Sequence, residues 1–114
     1  MCKFFPIFYL MQEGYVYLLC ENGDNEMYKI GVTRSEVSKR IKKLQTGNGN
    51  PIHCVASFKS SRPYKLEKML HSRFSLDREE GEWFLLSKEQ AEGFLPLCEK
   101  LEGIIISLKD NPFF

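Results

Sequence analysis

Apolar and polar positions alternate in short blocks along this chain, and the blocks predict an ordered series of elements. Tyr15 to Cys20 (YVYLLC) is rich in aromatic and branched residues and reads as a strand. Met27 to Thr33 (MYKIGVT) reads as a second strand. Between them ENGDNE, Glu21 to Glu26, contains Asn-Gly, so the two runs predict an antiparallel hairpin. Side chains alternate along a strand, which puts Tyr15 and Tyr17 on one face and Val16 and Leu18 on the other. Gly31, near the end of the second strand, permits close approach of another backbone or a ligand.

The period then changes. Val37, Ile41 and Leu44 recur at helical spacing, which predicts a helix capped by Ser35 with those three as its buried stripe. Arg40 falls at the edge of the stripe, near the sheet, while Lys39, Lys42 and Lys43 face water. The helix ends at Gln45-Thr46-Gly47, Gly47 to Pro51 is loop by composition, and Ile52 to Phe58 reads as a third strand. Arg62-Pro63 opens a second helix, with proline in its first turn, whose apolar side is Leu66, Met69, Leu70 and Phe74. Glu67 and His71 are four apart and stack on one face of it. Asp77 to Gly81 reads as a charged connection, and Glu82 to Leu86 as a short strand or extended segment anchored by Trp83. Ser87 and Gln90 form a capping box opening a third helix through Ala91, Phe94, Leu95 and Leu101, with Pro96 as the candidate interruption.

Composition adds that the chain is one compact domain. Its 114 residues are 43% apolar and 27% charged, enough for one modest core. Net charge is only +1, but the distribution is uneven: −3 over residues 1–28, +9 over 29–73 and −5 over 74–114. The basic middle third suits a polyanion such as nucleic acid, although for a charge run alone lysines on a solvated helix face are the commoner explanation. Cys2, Cys20, Cys54 and Cys98 show no CxxC spacing, so a zinc knuckle is not expected, and Cys20 and Cys54 read as small hydrophobes in apolar runs. A reduced, intracellular (cytoplasmic) setting fits them best. Residues 1–13 read as an extension before a domain spanning 14–110. Phe4 to Met11 is apolar but short, broken by Pro6 and without a small-residue cleavage site, so it does not read as a signal peptide; an edge strand, a packing arm or residues upstream of a start at Met11 remain open. No stretch is long enough to span a membrane.

Val16-Tyr17, then Lys29-Ile30-Gly31, Arg40 in a following helix and Glu67 in the next resemble the GIY-YIG nuclease domain. YKIGVT, RIKKLQTGN, the run from Leu66 to Phe74 and Gly81-Glu82-Trp83-Phe84 look most like its T5orf172 / Mug113-type branch. The motifs occupy residues 14–86, with the C-terminal helix over 87–108. The resemblance implies a small α/β (α+β) domain, a three-stranded antiparallel sheet flanked by helices, acting as a metal-dependent endonuclease on DNA with a single metal ion. It implies that Tyr17 positions or deprotonates the attacking water. Arg40 would hold the scissile phosphate, and Glu67 would bind one Mg2+ or Mn2+. His71, one turn from Glu67, would bind phosphate, shuttle a proton or orient the carboxylate.

The motif departs from the family in three places. Lys29 stands where the second tyrosine is expected, with Tyr28 aimed at the opposite face, and would serve as a base if its neighbours lowered its pKa. Tyr15 stands in place of the glycine, and the asparagine usual after the metal glutamate has no match, Glu82 being the nearest polar candidate. Lys39, Lys43, Gln45, Thr46 and Asn48 are candidate substrate contacts. With little chain beyond the domain, specificity would come from a partner protein, a homodimer or substrate structure. The competing expectations are a catalytically inactive nucleic-acid-binding module of the same fold and a protein-interaction domain.

Overall fold

The computed structural model describes residues 13–21, 27–108 and 111. The expectations for residues 1–12, for the Asn-Gly turn and for the last three residues lie outside that range. β1 (Gly14–Glu21) and β2 (Met27–Thr33) pair antiparallel, Tyr17 opposite Gly31 and Leu19 opposite Lys29. β3 (Ile52–Ser60) pairs antiparallel with the other side of β1, with a register shift between Leu18 and Leu19. The sheet continues past these three strands. After a 3-10 turn at Ser75–Asp77, β4 (Arg78–Glu80) and β5 (Trp83–Leu85) form a hairpin that docks on β2, giving five antiparallel strands in the order β3-β1-β2-β5-β4.

That corrects both the three-stranded sheet and the reading of Asp77 to Gly81 as a plain connection. All three residues of β4 are exposed, so the strand carries no apolar alternation to announce it. Charges on an edge strand also oppose pairing with a further sheet. Gly81 closes the turn at φ 57°, a left-handed conformation that glycine enters without steric cost.

The two sheet faces carry different cores. Val16, Leu18, Tyr28 and Ile30 face the main one, with Leu66 and Leu70 of a helix over Pro63–Arg73 and with Phe74, Phe84, Phe94, Cys98, Leu101 and Ile105. Tyr17, Leu19 and Ile52 face a thinner one, covered by Val37, Ile41 and Leu44 of the helix Val37–Thr46 and by Trp83. In chain order these helices are α1 (Val37–Thr46) and α2 (Pro63–Arg73), followed by α3 (Lys88–Glu92) and α4 (Phe94–Leu108). The α1 stripe is half-buried rather than buried. Its N-cap is Glu36 without a side-chain bond, because Ser35 is held in the preceding bend by Thr33 Oγ1, which accepts from Ser35 N at 3.2 Å.

The capping box at Ser87 is present: Ser87 Oγ accepts from Gln90 N at 3.1 Å, and Gln90 Oε1 accepts from Ser87 N at 2.8 Å. The helix break falls at Gly93, not Pro96. Pro96 lies in the first turn of α4, where its missing N–H leaves no intrahelical bond unmade. Cys54 is exposed on edge strand β3 instead of packing as a core residue, and Cys20, Cys54 and Cys98 form no disulfide among the described residues. No helix among the described residues is long and apolar enough to cross a membrane.

Candidate functional site

β5 pairs with β2 only from Met27 to Lys29 and then parts from it. Where the ladder ends, Ile30 N–H donates to Glu82 O at 3.2 Å. The Ile30 carbonyl instead accepts from His71 Nε2 at 2.9 Å, and Arg78 Nη2 donates to His71 Nδ1 at 3.0 Å. A guanidinium has no acceptor, so this pattern assigns the ring hydrogen to Nε2. His71 therefore ties α2 to the open edge of β2, with its ring edge-on to Phe84 at 5.1 Å. It is bonded to backbone and arginine, not to the Glu67 carboxylate.

On the α1 face, Tyr17 lies across its partner Gly31, and Arg40 Nε donates to Tyr17 Oη at 3.3 Å. Tyr17 is fully buried. Burial pushes its phenol above the ordinary value of 10.0; the bond and charge of Arg40 oppose the rise, and Glu82 and Glu67 add to it. The same bond raises the Arg40 guanidinium further. Strand alternation puts Lys29 on this face too, its ammonium 3.4 Å from Glu82 Oε1 and over the Trp83 ring at 5.4 Å. Tyr28 packs into the main core on the opposite face, as its position in the strand predicts.

Glu67 reaches the same edge from α2. Its carboxyl is pushed up to about 7, first by burial and then by the nearby Glu82, with Lys29 opposing. It makes no hydrogen bond or ion pair among the described residues. Tyr17, Lys29, Arg40, Glu67 and Glu82 thus form one electrostatic cluster drawn from β1, β2, α1, α2 and the β4–β5 turn.

Two surface clefts flank the cluster. One, about 620 Å³, is lined by Glu67, His71, Lys68, Arg78 and Tyr64. The other, about 550 Å³, is lined by Arg34, Lys39, Arg40, Lys43 and Tyr64. Lys39 and Lys43 are therefore placed beside Arg40, as their spacing predicts. Gln45, Thr46 and Asn48 are placed elsewhere and bonded internally. Gln45 Nε2 donates to Asn50 O at 2.9 Å, and its Oε1 accepts from Ile52 N at 2.7 Å. Asn48 Nδ2 donates to Glu21 Oε2 at 3.0 Å, and Thr46 Oγ1 to Lys42 O at 3.0 Å. These residues hold the α1–β3 loop against the end of β1. Sequence reasoning missed Arg34 and Tyr64, whose place depends on how α2 sits against the end of β2. The signal available was an exposed aromatic one residue after a helix-opening proline.

No group of three or more His, Cys, Asp or Glu side chains able to hold a metal forms among the described residues. A half-buried carboxylate with a second carboxylate beside it is nevertheless a hard-oxygen donor set that fits a partly hydrated Mg2+ or Mn2+, whose charge would relieve their repulsion.

Fold and site define a mixed α/β domain in which a hairpin-borne tyrosine, paired with a helix arginine, meets a helix-borne carboxylate where β5 parts from β2. The family model of the T5orf172 domain matches residues 14–98, about three quarters of the chain, and the chain belongs to that GIY-YIG-like family. Neither a curated protein nor a solved structure matches it.

Proposed function

We propose that the protein is a metal-dependent endonuclease that hydrolyses phosphodiester bonds in DNA. The observation that carries this reading is the convergence of Tyr17, Arg40 and Glu67, from three separate elements, near the point where β5 parts from β2, with a basic cleft beside it. Arg40 is the phosphate ligand, its planar fork suited to two oxygens and its charge to the developing negative charge. In the uncomplexed protein Arg40 donates to Tyr17 Oη. Its turn toward phosphate exposes the phenol to the attacking water. Burial keeps that phenol protonated at neutral pH, so Tyr17 orients the water by hydrogen bonding and does not itself take the water's proton.

Lys29, held by Glu82, contributes positive charge beside the carboxylates. Glu67, with Glu82 as its neighbour, would hold one divalent cation, which supplies Lewis acidity to the phosphoryl oxygen and leaving group. In the net reaction the water oxygen bonds to phosphorus, the ester P–O bond breaks, and the water's proton ends on the departing oxygen. Lys39 and Lys43 hold flanking phosphates.

Supercoiled plasmid incubated with Mg2+ or Mn2+ should be nicked or linearised by the wild type. Cleavage should be lost in EDTA and fall at least a hundredfold in Glu67→Ala, while DNA binding persists. Undiminished cutting by Glu67→Ala would overturn the metal assignment. A specific observation favours a second reading, an inactive nucleic-acid-binding module: Tyr17 is sealed from solvent and a lysine replaces the second motif tyrosine. DNA binding without cleavage under any divalent cation selects that reading. No DNA binding at low salt, where phosphate contacts are strongest, selects a protein-interaction domain.

A further inference from the structure

Tyr64 stands where the two clefts meet. It lines both the cleft holding Glu67 and the cleft holding Arg34, Lys39, Arg40 and Lys43. It sits on the first turn of α2, right after Pro63, which packs into the interior, so the backbone carrying it is fixed. Its side chain is left out: Tyr64 is 51% exposed, although the core lies directly beneath its own helix. The Arg34 guanidinium lies over the ring at 5.1 Å and limits its motion, giving an anchored aromatic with accessible π surface.

The basic cleft is lined by four cations and no carboxylate, whereas the Glu67 cleft carries the carboxylate. A nucleic-acid strand with phosphates on Lys39, Arg40 and Lys43 and its reacting phosphate near Glu67 has to pass over Tyr64. A base paired within a duplex has both faces stacked already and cannot lie on a protein ring. An unpaired base can, and base–aromatic stacking is a sequence-tolerant source of affinity.

We infer that DNA bound at this site carries an unpaired nucleotide where it passes from the basic cleft to the Glu67 cleft, its base stacked on Tyr64. This makes the protein selective for single-stranded or locally unpaired DNA. The inference rests on reading the Arg40 and Glu67 clefts as a nucleic-acid site, but not on cleavage taking place there.

The test is therefore run in EDTA, where binding is separated from chemistry. Affinity is measured by fluorescence anisotropy for a short oligothymidylate, a blunt two-strand duplex of equal phosphate count and an oligouridylate, with 2-aminopurine placed singly along a further DNA strand to report stacking. The wild type should prefer the single strand and quench 2-aminopurine at one position. Tyr64→Leu, which keeps apolar bulk without a π face, should weaken single-strand binding about tenfold, abolish the quenching and leave duplex binding unchanged. Tyr64→Phe should behave as wild type, which assigns the loss to the ring face and not the hydroxyl, while the unchanged duplex binding of Tyr64→Leu excludes a fold defect. Equal wild-type affinity for single strand and duplex, or a Tyr64→Leu protein that binds and quenches like wild type, overturns the inference. Tyr64-dependent stacking with no cleavage once metal is added leaves it standing and overturns only the nuclease reading. Tighter, Tyr64-dependent binding of the ribo-oligomer keeps the stacking and overturns DNA as the substrate. Binding to none of the three overturns both readings.

Discussion

Gly31 and Tyr17 are opposite one another in the β1–β2 register, and the tyrosine ring covers the space a side chain at 31 would fill. A Cβ there would stand 2.7 Å from Tyr17 Cε1 and nearer still to Oη. The ring cannot retreat cheaply, since it is fully buried beneath Val37, Ile41 and Leu44. Glycine is needed at this position for the space it leaves, which seats the phenol against Arg40. Gly31→Ala should destabilise the fold by about 1–3 kcal/mol in urea unfolding, the range of an overpacked core. In a Tyr17→Ala background the same substitution should cost little, because the obstructing ring is gone. An equal cost in both backgrounds would show that the ring is not what position 31 must avoid. The spacing of Tyr17, Gly31, Arg40 and Glu67 made this part of the site legible in the sequence. Alternation fixes which face a strand residue takes, and helical period fixes which residues border a stripe. Glu82 entered only as the nearest polar candidate for the missing asparagine, and Tyr64 was not legible as a partner of that group, since nothing local ties it to a strand formed thirty or more residues earlier.

Among the elements, the β1–β2 hairpin and the capped start of α3 follow from local chemistry, and the sequence announces both. The β4–β5 hairpin does not follow in that way. Its outer strand is all charge, and its inner strand pairs with β2 over only three residues before leaving it. What closes the edge beyond that point is a helix side chain, with His71 bonded to the Ile30 carbonyl and braced by Arg78. Ile30 is fully buried, so removing this donor leaves a backbone acceptor without its partner. His71→Phe should therefore lower stability by about 1–3 kcal/mol, the cost of an unsatisfied buried polar group. If His71 acts only through this bond, cleavage by the folded variant should drop no more than its folded fraction does. A loss of turnover well beyond that, with stability intact, would place His71 in the chemistry instead.

At the scale of the whole molecule, the excess of positive charge in residues 29–73 becomes a surface: α1 presents Lys39, Arg40 and Lys43 beside Arg34, and balancing acids lie on the 3-10 turn, the β4–β5 hairpin, α3 and α4. Beside Glu82 of that hairpin is Glu67, whose carboxyl is raised to about 7 by burial and by Glu82, against an ordinary value of 4.5. Its elevation makes the stability of the entire fold depend on pH in a definite direction. Between pH 4.5 and 7 the folded state holds a proton on Glu67 that the unfolded chain has released, so in metal-free protein this group's contribution is fully present below about pH 4.5 and is lost as pH climbs toward 7. The slope is at most about 1.4 kcal/mol per pH unit for one group. Urea unfolding in EDTA should therefore find wild type losing ground to Glu67→Gln as pH rises from 5 toward 7.5 by about that slope. A cation that binds the ionised carboxylate should restore wild-type stability most strongly above pH 7 and do nothing for the Gln variant. Parallel pH profiles for the two proteins would mean that Glu67 titrates as an ordinary surface carboxylate. The cluster would then lack the close carboxylate pair on which the proposed metal binding and the proposed chemistry both depend.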